Sequence, residues 1–124
     1  MTYTPPLRDQ AFVLREVLEI DRYADLPGFS DAAGDVLDQI LEGAGQFASE
    51  VLAPLNRVGD KEGCTWSPDN SVKTPTGFAD AYRQLVEGGW MALGAEPAYG
   101  GQGLPHVVNM AFSEMMSGAN MAFG

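Results

Sequence analysis

The chain has 124 residues, 45% of them apolar, with 17 acidic side chains against 7 basic ones and a formal charge of −10. That length corresponds to one domain or a piece of a larger protein, with enough apolar material for a packed core and too much for an acidic disordered tail. Nucleic acid is excluded as a partner, because binding needs clustered cations to displace phosphate counterions, and no Lys or Arg follows Arg83.

Four helical segments are predicted and no comparably clear strand, so the expected fold class is all-α. The first follows Pro5-Pro6, with Asp9 as its N-cap; Phe12, Val13, Val17, Leu18 and Ile20 recur at helical spacing before Pro27-Gly28. The second carries the strongest periodicity. Ser30 caps it, Asp31 sits in its first turn, and Val36, Leu37, Ile40, Leu41, Ala44, Phe47, Ala48, Val51 and Leu52 form a broad apolar stripe. Asp31, Asp35, Asp38 and Glu42 fall on the opposite side and read as a solvated outer face rather than a cation site. Pro54 is expected to kink or end this helix, with a kinked continuation to about Val58 because Leu55 stays in phase.

Residues 59–74 read as a loop, with turn chemistry in Ser67-Pro68-Asp69-Asn70-Ser71 and Trp66 as the anchor holding it to the body. The third helix is predicted from Thr76 to Glu87, with Phe78, Tyr82, Leu85 and Val86 inward and Gly88-Gly89 as its stop. The fourth begins near Pro105 and carries Val107, Val108, Ala111, Phe112, Met115, Met116 and Ala119. Met110, Met115, Met116 and Met121 on or near it suit either ordinary core or the wall of a pocket for a flexible apolar chain.

Candidate chemistry is sparse. His106 is the sole histidine, so no HExxH or multi-histidine metal site can form, and no GxSxG elbow presents a serine. It reads as a first-turn residue of the last helix. Cys64 stands alone, which excludes an internal disulfide and a CxxC knuckle; Asp60 and Glu62 beside it oppose a thiolate. Gly100-Gly101-Gln102-Gly103 precedes a helix, as a phosphate cradle does, yet no strand leads into it and no GK[ST] follows. It reads as a tight turn. The N-terminus lacks the pattern of a secretory signal, and no stretch is long and apolar enough to span a bilayer, so a cytoplasmic location is expected.

From Gly89 to Pro105 the sequence Gly-Trp-Met-Ala-Leu-Gly-Ala-Glu-Pro-Ala-Tyr-Gly-Gly-Gln-Gly-Leu-Pro resembles the N-terminal helical domain of the acyl-CoA dehydrogenase family. Tyr3 to Asp9, Phe12-Val13-Leu14, Leu52 to Asn56 and Gly59-Asp60 are similar to a larger bacterial subfamily that includes long-chain acyl-CoA and 3-methylmercaptopropionyl-CoA dehydrogenases. The resemblance implies an N-terminal extension over residues 1–29 and the helical domain over residues 30–124. It implies FAD-dependent α,β-dehydrogenation of an acyl-CoA thioester: a carboxylate takes the α-proton, the flavin accepts the β-hydride, and electron-transfer flavoprotein takes the electrons onward.

The family plan continues with a middle β domain and a C-terminal helical bundle, both absent here. The catalytic glutamate and the main FAD contacts belong to those parts, so no catalytic residue is expected in this chain, and it should be inactive alone. A homodimer is implied for the full-length enzyme. Met116, Asn120 and Gly124, spaced by four, are implied to wall the distal end of the acyl chain, where a glycine leaves a deeper cavity. Two other functions fit the same sequence: a stand-alone helical interaction module using the Met-rich face, and a related flavin-dependent acyl-CoA oxidase.

Overall fold

The computed structural model describes residues 2–124, and its regular structure is helical apart from one short hairpin. Helix α1 (Leu7–Phe12) runs into a π-helical turn at Val13–Val17; a 3-10 turn follows at Ile20–Tyr23. The helix starts at Leu7 after Pro6, so Asp9 lies in its first turn rather than capping it. Leu14 and Ile20 are buried, whereas Phe12, Val13, Val17 and Leu18 are exposed. The π turn shifts the phase of the segment, so a 3.6-residue count alone cannot assign the inward face.

Helix α2 (Asp35–Phe47) begins later than Ser30, which instead opens a separate 3-10 turn at Ser30–Ala32. Gly34 precedes α2 with φ of 58°, and Arg15 donates to its carbonyl at 2.8 Å while pairing with Asp38 at 3.0 Å. Leu37, Leu41, Ala44, Gly45 and Phe47 turn inward. A second π turn, Ala48–Leu52, joins α2 to helix α3 (Ala53–Glu62). Its cause is visible in the sequence: Pro54 has no N–H to complete an α-helical ladder. The wider turn lets the chain pass the proline and continue, as the in-phase Leu55 suggested, to Glu62.

The predicted loop contains a small hairpin. Strands β1 (Thr65–Trp66) and β2 (Val72–Lys73) pair antiparallel, Thr65 opposite Lys73 and Trp66 opposite Val72. Asp69 accepts from the Ser71 N–H at 3.0 Å and hydroxyl at 2.7 Å, and Asn70 takes the left-handed conformation. Trp66 is 62% exposed and anchors nothing, because the two-residue strand turns it to solvent.

Helix α4 (Phe78–Glu87) and helix α5 (His106–Asn120) complete the chain, linked by 3-10 turns at Trp90–Ala92 and Pro97–Tyr99. Ala81 and Leu85 are the buried face of α4; Tyr82 and Val86, expected inward, are about half exposed. The core centres on α5: Val108, Ala111, Phe112, Met115 and Ala119 pack against α2, the second π turn and α3. Trp90 stacks on Phe112 with ring centroids 5.2 Å apart, and Phe47 lies against both rings. Leu14 and Ile20 belong to this same core, so the first helical segment packs into the body that the later helices form.

Candidate functional site

An apolar cleft of about 390 Å³ opens between α4 and the end of the chain, lined by Thr74, Phe78, Ala79, Tyr82, Ala122 and Phe123. Phe78 and Tyr82, one helical turn apart, form one wall. Phe123 closes against Phe78 edge-on, ring centroids 5.7 Å apart. Phe78 can lie this low because α3 carries Gly59 opposite it: a Cβ there would sit 2.7 Å from the ring. No carboxylate or cation lines the cleft.

Of the residues singled out in the sequence, the structure brings Met116 and Gly124 together. A side chain on Gly124 would begin 3.3–3.4 Å from Met116 Cε and Cγ, so the missing Cβ leaves the thioether arm free. Asn120 faces elsewhere. Helix α5 ends at Asn120 and the chain turns over Met121–Phe123, so spacing by four does not place these three on one helical face. Asn120 is 1% exposed, and its Nδ2 donates to the Leu52 carbonyl at 3.2 Å. Its Oδ1 accepts no hydrogen bond among the described residues. Phe78, Tyr82 and Phe123 were not among the candidate residues; the i, i+4 aromatic pair on α4 was the available signal.

The glycine-rich segment is a packed turn. Gly101 donates to the Glu96 carbonyl, Gln102 to Ala92, Gly103 to Ala95 and Leu104 to Leu93, at 2.9–3.1 Å. Gly100 and Gly103 have positive φ, and a Cβ on Gly101 would collide with the Ala95 backbone. Four successive donors are thus spent on the preceding strip of chain, and none of them is free to hold a phosphate.

Titratable groups do structural duties. Glu62, at the end of α3, accepts the Thr76 N–H at 2.7 Å, which lowers its pKa and ties α3 to the approach of α4. Asp80 is lowered by its bonds to Gln84 and then Arg83. Asp31, Asp35 and Glu42 point to solvent and Asp38 pairs with Arg15. Cys64 is exposed. Among the described residues no three His, Cys, Asp or Glu side chains cluster as a metal site, and no helix is long and apolar enough to cross a membrane.

Three curated proteins share sequence with the chain along nearly all of its length. It is 36% identical over 124 residues, all of the chain, to the 3-methylmercaptopropionyl-CoA dehydrogenase of Ruegeria pomeroyi. It is 32% identical over 121 residues, 97% of the chain, to a broad-specificity linear acyl-CoA dehydrogenase of Mycobacterium tuberculosis. Along nearly its whole length the chain is thus similar to acyl-CoA dehydrogenases. It is also 28% identical over 121 residues, 95% of the chain, to the butyryl-CoA dehydrogenase of Syntrophomonas wolfei. The chain spans only about a fifth of the length of these relatives (20–21%). No protein-family model matches it.

Acyl-CoA dehydrogenases generally use FAD, and the glycine-rich turn of this chain does not fit its pyrophosphate. The glycine-rich donors are occupied, and of the seven cations the last, Arg83, is paired with Asp80. What the segment does present is an apolar cleft, and Met116, Asn120 and Gly124 are not among its lining residues.

Proposed function

We infer that the protein carrying this chain is an FAD-dependent acyl-CoA dehydrogenase, which removes the α and β hydrogens of an acyl-CoA thioester. In this reading the segment walls the distal end of the acyl chain and has no activity alone. The observation that carries it is the whole-chain relation to three acyl-CoA dehydrogenases. The cleft supports it: walls of Phe78, Tyr82 and Phe123 suit an alkyl chain, and in this reading the bare Gly124 against Met116, next in sequence to Phe123 though not itself a lining residue, leaves room for a longer or bulkier one. Removal of an α-proton requires a polarised thioester carbonyl and a positioned base, and both are assigned to parts of the enzyme beyond these residues. So are the FAD and CoA phosphates, since no Lys or Arg follows Arg83. Transfer of electrons to electron-transfer flavoprotein, a homodimeric assembly and a cytoplasmic location belong to the same reading.

The test is acyl-chain preference in the parent enzyme. Gly124→Glu should push a carboxylate into the space beside Met116 and lower kcat/KM for long acyl-CoAs at least about tenfold relative to short ones, a loss of about 1.4 kcal/mol of transition-state binding. An unchanged preference would refute the pocket role and leave the reaction class standing. Titration of FAD with the 124-residue chain, followed by flavin fluorescence, should show no saturable quenching; saturation would overturn the assignment of the flavin contacts elsewhere.

A further inference from the structure

Asn120 is the last residue of α5 and is fully buried, in a place where an apolar side chain would ordinarily stand. Half of its amide is used. Nδ2 donates to the carbonyl of Leu52, 68 residues away in sequence, at 3.2 Å, whereas Oδ1 accepts no hydrogen bond among the described residues. Turning the amide over would set Oδ1 against the Leu52 carbonyl, so this one donor fixes its orientation. A buried amide oxygen without a donor opposes folding by about as much as one hydrogen bond supports it. Stability therefore gives no reason for asparagine here. A directional tie between the end of α5 and the start of α3 does.

That tie leads to the apolar cleft. Leu52 closes the second π turn and immediately precedes α3. On the other side, the Asn120 carbonyl accepts the Phe123 N–H at 3.1 Å, which holds the turn at the end of the chain. The Phe123 ring meets Phe78 edge-on at 5.7 Å, and Phe78 rests on α3 at Gly59. Gly77, just before Phe78, is seated on Leu55 of α3, where a Cβ would lie 2.7 Å from Leu55 Cδ2. The contacts close a circuit: α3 holds α5 at Leu52, α5 holds Phe123, and Phe123 meets Phe78, which returns to α3. The Asn120–Leu52 bond is the one side-chain hydrogen bond in that circuit.

We propose that Asn120 is a positioning residue for acyl-group selection. It does not line the cleft. It fixes the end of α5 on Leu52, so that Phe123 stands at a set distance from Phe78, and the spacing of those two rings sets how wide a terminal group the cleft admits. The proposal rests on the reading of the cleft as the acyl site.

The experiment uses the parent enzyme and two substrates, a straight-chain acyl-CoA and its isomer ending in an isopropyl group. Asn120→Leu keeps the approximate size and removes both the tie and the unpartnered oxygen. It should raise kcat/KM for the branched isomer relative to the straight one at least about threefold, with the melting temperature within about 5 °C of the parent's. Asn120→Ala, which cannot overfill the site, should move the ratio in the same direction. Phe123→Ala should move it further, and adding Asn120→Leu to Phe123→Ala should change it no more, because a residue that acts through the ring has no effect once the ring is gone. A ratio moved by Phe123→Ala but by neither Asn120 variant would overturn the proposal and leave the cleft as the acyl site. Additive effects in the double variant would overturn it too, by giving Asn120 a route that bypasses Phe123. A ratio unmoved by Phe123→Ala would refute the acyl role of the cleft itself, and the proposal with it.

Discussion

Asn120→Asp tests whether Asn120 is a packing residue or the floor of an open pocket. The substitution keeps the shape and replaces the Nδ2 donor with a second acceptor. The hydrogen bond to the Leu52 carbonyl is lost, a net cost of about 1 kcal/mol. More is lost to the charge. At 1% exposure, burial against a carbonyl raises the carboxyl pKa by about 2 units or more, so holding it ionised at neutral pH costs about 2.7 kcal/mol at ~1.36 kcal/mol per unit. Together the two effects amount to about 4 kcal/mol at neutral pH. An unfolding entropy of ~2.1 cal/mol/K per residue gives roughly 0.26 kcal/mol/K for a chain of 124 residues, so the melting temperature should fall by about 15 °C. The pH dependence has a definite sign. The folded pKa of the introduced acid lies above its unfolded value of about 3.9, so the charge penalty is absent below that value and grows as pH rises through the folded pKa. Thermal melts by circular dichroism between acid and neutral pH measure both effects. A drop of only a degree or two, independent of pH, would refute the buried placement and put Asn120 in contact with solvent.

Three further outcomes follow from the same geometry. Gly101→Ala should destabilise the fold by at least about 2 kcal/mol in urea titration, because its Cβ meets the Ala95 backbone rather than a movable side chain; a neutral result would mean the turn is looser than its hydrogen bonds indicate. Tyr3 packs on Gly118, and burial, then the charge of Glu114, raises its phenol above the ordinary 10.0. Its contribution to stability is intact below pH 10 and declines as pH rises through the raised value, so Tyr3→Phe should flatten the alkaline limb of the melting profile. Glu62 is held below its ordinary 4.5 by the Thr76 N–H, so its contribution is present above that pH and fades as pH falls through the lowered value. Glu62→Gln should remove that part of the acid dependence, and an unaltered acid limb would show that the bond does not link α3 to α4 in solution.

The helices were legible where apolar residues kept a 3.6-residue rhythm through regular helix, as in α2, α4 and α5. They were misread where the backbone departed from that geometry. The π turn at Val13–Val17 leaves no compositional trace, so Phe12, Val13, Val17 and Leu18 mark a helix yet face outward. In α4 the aromatic Tyr82 outweighed Ala81 by size, although a small residue is what close helix packing selects. Trp66 was read as an anchor because tryptophans are commonly buried, and a two-residue strand offered it nothing to pack on. At the site, helical spacing did not foretell the contact of Met116 with Gly124, because α5 ends at Asn120 and the turn over Met121–Phe123 brings Gly124 back. No residue signals that stop: the helix ends without a glycine or proline, and the chain simply turns over Met121–Phe123.

The π turn before Pro54 makes the length of the chain at this point as important as its composition. Such a turn holds about one residue more than an α-helical one, and each residue of helix advances the direction of a side chain by about 100°. Deleting a single residue between Ala48 and Leu52 would drive the Pro54 ring against the carbonyl of the preceding turn. It would also swing Leu55 away from Gly77 and Gly59 away from the Phe78 ring. A one-residue gap here, harmless in an exposed loop, would therefore reshape the wall of the apolar cleft without altering any residue that lines it.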